Sequence, residues 1–168
     1  MRKIAYSSEI FNVEEYNDKK RPDKKFYRIL SPDSVAILPV RAGKMLLERQ
    51  YRYSIGRYLY EVPAGYINKG EKPLAAARRE LAEETGYVAK HMRFLFKAYV
   101  APGSKTERCY YFSAEGIKSN EGTNFDEDEI ITSEWVGIDK VLKMIKEGRI
   151  IDMKTIVALL YYLRFNRK

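Results

Sequence analysis

One cysteine, one histidine and one tryptophan are all that this chain of 168 residues holds of those types. The lone Cys109 excludes an internal disulfide framework and fits a reducing compartment. Catalysis by a Ser-His-Asp or Cys-His arrangement would have to use His91, and zinc sites built from histidine and cysteine are equally short of ligands. No apolar run reaches membrane-spanning length, and the opening MRKIAYSSEIF lacks the apolar core of a secretory signal. A cytoplasmic protein without a membrane partner is the expectation.

The charge is lopsided, with a formal net of +8. A basic chain invites a nucleic-acid reading, yet the lysines and arginines are spread along it, with no aromatic-basic repeat and no helix-turn-helix pattern. The densest run, DKKRPDKK at 18–25, reads as a turn between strands. Solubility and attraction of anionic small molecules account for the charge better than nucleic acid. At 45% hydrophobic the chain is globular, and its length favours one main domain.

Periodicity predicts strands at 3–8, 10–16 and 26–30, ahead of the main domain and able to form a small sheet of their own. Apolar runs at 34–40 and 44–51 flank Ala42-Gly43 as a hairpin, and 58–62 is a short strand ending at Pro63-Ala64-Gly65. Strands follow at 91–100, 108–114 and 130–136, with a turn at Pro102-Gly103-Ser104 and a polar, acidic loop at 116–129. Asp139 is placed as the N-cap of a helix ending at Gly148, and Asp152 as the N-cap of a last helix through Phe165.

The most informative stretch is GYINKGEKPLAAARRELAEETGY, 65–87. Pro73 suits a first helical position, strong helix formers fill 74–84, and Gly86 is placed as a C-terminal stop. The helix would bury Leu74, Ala77 and Leu81 and stack Glu80, Glu83 and Glu84 along a neighbouring stripe. Like charges at that spacing cost a few tenths of a kcal/mol per pair. Two neutralisers fit: Arg78 and Arg79 on a solvated face, or a hard divalent cation bound by carboxylate oxygens.

Glycine, five residues, glutamate, seven residues and then Arg-Glu-Leu-Ala-Glu-Glu-Thr-Gly resembles the signature of the Nudix hydrolases. Gly65, Glu71, Arg79, Glu80, Leu81, Glu83, Glu84 and Gly86 each fall on it; the usual bulky aliphatic after them is here Tyr87. Three further features resemble the ADP-ribose pyrophosphatase subgroup: Pro102 fifteen residues beyond Tyr87, Glu61-Val62-Pro63-Ala64-Gly65 leading into the signature, and Gln50-Tyr51-Arg52 closing the preceding strand.

The resemblance implies an α/β/α sandwich with a mixed sheet over 34–168, and a small N-terminal β-sheet over 1–33 exchanged between the subunits of a homodimer. It implies magnesium-dependent hydrolysis of ADP-ribose to AMP and ribose 5-phosphate, with manganese a possible substitute. The alternatives are a broader nucleotide-sugar or dinucleotide pyrophosphatase and a non-hydrolytic ADP-ribose sensor. By the same resemblance Glu80 and Glu84 are the principal metal ligands, joined by Glu83 and the Ala64 carbonyl, and Arg79 orients the glutamates. Glu127 is the expected general base and Glu129 a metal ligand on the 116–129 loop. Arg52 is the expected phosphate contact, Glu107 and Pro102 lie toward the ribose or phosphate, and Phe26, Tyr27 and Arg28 lie toward the adenosine.

Overall fold

A computed structural model describes residues 2–119 and 132–165. The chain opens with three antiparallel strands, β1 (Arg2–Ser7), β2 (Asn12–Asp18) and β3 (Arg21–Leu30), in spatial order β1-β2-β3. The turn expected across 18–25 is confined to Lys19-Lys20, and β3 begins at Arg21. Asp18 accepts the Lys20 N–H (2.8 Å) and tightens the reversal. Pro22 is tolerated because the pairing is irregular there, Asp18 lying opposite Arg21 and Asn17 opposite Lys25, so its missing N–H breaks no ladder bond.

The main sheet contains β4 (Ser34–Arg41), β5 (Lys44–Arg52), β6 (Arg57–Glu61), β7 (Ala64–Tyr66), β8 (Tyr87–Tyr99), β9 (Arg108–Ser119) and β10 (Thr132–Gly137). Its order is β10-β5-β4-β9-β8, with β6 on β5 and β7 on β4, and the β4–β9 pair alone is parallel. Strand β4 is central and buried on both faces, which is why SVAILP reads as an apolar run rather than an alternation. Val35 and Ile37 face helix α1 (Pro73–Thr85); Ala36 and Leu38 face α2 (Ile138–Lys146) and α3 (Met153–Phe165). Helices on both faces of a mixed sheet make the expected sandwich. Among the described residues no helix is long and apolar enough to cross a membrane.

Several boundaries depart from expectation for physical reasons. Leu74 is 42% exposed, and the buried face of α1 is Ala76, Ala77, Glu80, Leu81 and Thr85. Side chains lean toward a helix N-terminus, so a first-turn leucine hangs past the sheet while the alanines let the helix approach it. Strand β8 starts at Tyr87, directly after the Gly86 cap, and β9 runs on to Ser119. Each outer end puts one small or isolated apolar residue into the core, Ala89 on β8 and Ile117 on β9, among polar neighbours, which is too little to announce a strand. Asp139 lies within the first turn of α2, whose cap is Gly137. Asp152 does cap α3, its Oδ2 accepting the Thr155 N–H at 2.9 Å.

Candidate active site

Strand β6 leads through Val62-Pro63 into β7, which lays Ala64 and Gly65 against β4, opposite Ala36 and Val35. Helix α1 returns over this segment. Glu84 reaches it directly, its Oε2 accepting the Ala64 N–H at 2.8 Å. Glu80 lies closer still. A Cβ added at Gly65 would stand 2.2 Å from the Glu80 carboxyl carbon, so only glycine leaves that carboxylate its space.

Arg79 gathers the acidic stripe. Its Nη1 donates to Glu80 Oε1 (2.7 Å) and Glu83 Oε2 (2.9 Å), while Nε and Nη2 grip Glu71 at 3.1 and 3.0 Å. Nη2 also donates to the Tyr66 carbonyl at 2.9 Å. Arg78, the other cation considered for neutralising the stripe, donates to the Ala89 carbonyl (3.0 Å). Glu71 is held below the usual carboxylate range by Arg79 and by the Asn68 N–H. Glu80 moves the other way: burial raises it, Arg79 pulls it back, and Glu83 and Glu71 push it up again.

The Arg79 guanidinium bonds three carboxylates, Glu71, Glu80 and Glu83, and carries one positive charge. Among the described residues no three carboxylate, histidine or cysteine side chains converge into a preformed cage. The donor set still fits a hard divalent ion: carboxylate oxygens, one of them buried and raised, in surplus over the local positive charge.

Beside α1 the same face of the sheet is polar. Glu48 and Glu61 lie opposite each other across β5 and β6, each 1% exposed. Arg52 donates to Glu61 through Nε (2.7 Å) and Nη2 (2.6 Å), and Lys154 from α3 donates to the same carboxylate at 3.1 Å. Burial alone would raise Glu61, but Arg52 and Lys154 hold it below the usual range. The Arg52 guanidinium is held more firmly charged by Glu61, with Glu84 and Asp152 adding to the field.

The remaining expected residues divide. Tyr27, Arg28 and Pro102 border one groove of about 500 Å³, with Tyr16, Lys105 and Arg108. The Ile29 N–H on the Ser104 carbonyl (2.8 Å) and the Thr106 N–H on the Ile29 carbonyl (3.0 Å) tie β3 to the Pro102 loop. Phe26 stacks on Tyr16 (5.8 Å between centroids), and Arg28 pairs with Glu14 (2.7 Å). Glu107 is 6% exposed and spends its oxygens on Ser34 (2.6 Å) and on Lys105, facing inward beneath the groove. Glu127 and Glu129 lie outside the described residues. Sequence reasoning gave no role to Glu61 or Lys154. The one available signal was a glutamate before Pro63; nothing local links it to a lysine 93 residues away.

Gly65→Ala tests the cradle. The added methyl meets only the far end of a flexible side chain, so the protein is expected to fold and melt near the parent, with Glu80 displaced. The apparent dissociation constant for a divalent cation should rise roughly tenfold. An unchanged cation affinity would detach Glu80 from metal binding.

Comparison with known proteins bears on this geometry. A family profile described as NUDIX domain matches residues 30–158. An ADP-ribose pyrophosphatase of Bacillus subtilis is 37% identical over 132 residues, 77% of this chain and 71% of its own length. A methanol dehydrogenase activator of Bacillus methanolicus is 36% identical over the same shares. A GDP-mannose pyrophosphatase of Yersinia pestis is 40% identical over 127 residues, 71% of this chain and 64% of that protein. A crystal structure of an ADP compounds hydrolase superposes with a TM-score of 0.85, covering 98% of this chain and 91% of its own at 22% identity, a likeness of fold.

Proposed function

Because this chain belongs to the Nudix hydrolase family, we propose that it cleaves the pyrophosphate bond of ADP-ribose, with magnesium, to give AMP and ribose 5-phosphate. The observation that carries the reading is the Arg79-centred arrangement of Glu71, Glu80 and Glu83 beside Glu84 on Ala64. A ligand sensor would have no need to hold surplus carboxylate in this way. The groove bordered by Tyr27, Arg28 and Pro102 supplies aromatic and cationic groups of the kind a nucleoside and its phosphates require.

Glu80, Glu83 and Glu84, with the Ala64 carbonyl, would hold the metal, and manganese is an acceptable substitute for a site of oxygens. Bound magnesium supplies charge neutralisation at the diphosphate and a more acidic water. Arg52 binds the diphosphate, and Glu61 keeps its guanidinium directed. Glu127 accepts the proton of the attacking water and Glu129 adds a ligand from the 116–129 loop. Glu107 supports the groove through Lys105.

Residues 1–33 form an intersubunit element of a homodimer in this reading; β1 is exposed along its whole length and β3 borders the groove. The substrate is a small nucleoside diphosphate derivative rather than nucleic acid, and the setting is cytoplasmic. Yersinia relatives named for GDP-mannose make that sugar nucleotide the second reading.

Product analysis on ADP-ribose, ADP-glucose, GDP-mannose, dinucleotides and nucleoside triphosphates decides between these. ADP-ribose is expected to give the highest kcat/KM. A preference for GDP-mannose would replace the sugar nucleotide but keep the chemistry. Tight ADP-ribose binding without products would establish the sensor.

A further inference from the structure

Lys154 lies in the first turn of α3, yet its ammonium serves strand β6. It donates to Glu61 Oε2 at 3.1 Å and to Asp152 Oδ1 at 2.7 Å. The other Asp152 oxygen accepts the Thr155 N–H (2.9 Å) and hydroxyl (2.7 Å), and that hydroxyl accepts the Val62 N–H at 2.9 Å. Lys154 is thereby fastened to a helix cap that is itself bonded to the segment entering Ala64. The Glu61 carboxylate is shared, with Oε1 taken by Arg52 Nε and Oε2 by both Arg52 Nη2 and Lys154.

We infer that Lys154 is a positioning residue for diphosphate recognition: it anchors Glu61 to α3 and so holds Arg52 in one orientation at the glutamate site. This rests on the reading of Arg52 as the diphosphate contact. The terminal torsion of a glutamate is broad, so a carboxylate held from one side can rotate and carry its arginine with it. Arg52 is the last residue of β5, its side chain 35% exposed, and takes its direction from Glu61. Glu61 is 1% exposed, and Lys154 approaches Oε2 from α3 while Arg52 approaches from β5, so the carboxylate is held from two elements. The bonds of Lys154 run to Glu61 and Asp152, and through Glu61 to Arg52, so its loss should act on substrate binding rather than on the chemical step.

Steady-state kinetics at saturating magnesium test this, using the nucleoside diphosphate derivative that product analysis selects. Lys154→Met is expected to raise KM about five- to tenfold with kcat within about twofold, and Lys154→Arg to restore most of the loss. Arg52→Gln should raise KM at least as much, and adding Lys154→Met to it should change little more. Simple destabilisation would lower the folded fraction and hence apparent kcat, leaving KM in place. Lys154→Gln, which keeps a hydrogen-bond donor without the charge, gives the same comparison should the methionine variant fail to fold. A folded Lys154→Met or Lys154→Gln with unaltered KM, beside a raised KM in Arg52→Gln, overturns the inference and leaves Arg52 standing. So does full additivity of the two substitutions. An unaltered KM in Arg52→Gln removes the Arg52 reading and this inference together.

Discussion

Glu84→Gln is expected to cut turnover roughly a thousandfold, about 4 kcal/mol of transition-state stabilisation, while the protein folds as before. The fold should survive because glutamine keeps the shape of the side chain, and an amide oxygen can accept the Ala64 N–H as the Glu84 carboxylate does at 2.8 Å. The charge cannot be replaced. A neutral amide is a weak ligand for a hard cation, and the surplus negative charge that would attract the ion falls by one. Glu80 is a poorer test, because it is 9% exposed and bonded to Arg79, so its substitution disturbs packing and ligation together. Turnover measured to saturating magnesium, beside a thermal melt, separates the two contributions. Near-normal activity of a folded Glu84→Gln protein would remove the metal assignment.

Features that are local in sequence were legible before any coordinates. Pro73 and Gly86 bound α1 as the propensities require, and the apolar runs about Ala42-Gly43 announced the β4–β5 hairpin. The orienting role of Arg79 came from the family resemblance; the residues alone left Arg78 and Arg79 as alternatives, and the structure puts Arg79 on Glu71, Glu80 and Glu83. Features that depend on distant pairing were not. Strand β7 is three residues long and exists through its pairing with β4. Glu107 was expected to contact ribose or phosphate beside the Pro102 loop, and it turns inward because Ser34, 73 residues away, meets it there. Lys154 reads as one lysine among many until β6 is set beside α3. In each case the missing information was which strand lies next to which, and no periodicity carries that.

Arg79→Lys should leave a folded protein whose magnesium midpoint rises about ten- to a hundredfold and whose turnover recovers substantially at high magnesium. The reason is shape rather than charge. The guanidinium is planar and offers five donors; here it spends them on Glu71, Glu80, Glu83 and the Tyr66 carbonyl at once. An ammonium carries the same charge on three donors around one atom, and it cannot span Glu71 on the loop and Glu83 a helical turn further along. With lysine the electrostatic balance is kept, yet Glu80 and Glu83 lose the bonds that fix their direction, and the entropy of ordering them falls on the metal-binding step. Glu84 does not depend on Arg79 for its bond to Ala64, so part of the ligand set survives. Magnesium titrations of turnover, run beside Glu84→Gln, distinguish the two roles. Recovery at high magnesium marks an orienting residue, and no recovery marks a lost ligand. A normal magnesium midpoint with a depressed rate would mean that Arg79 meets the substrate itself.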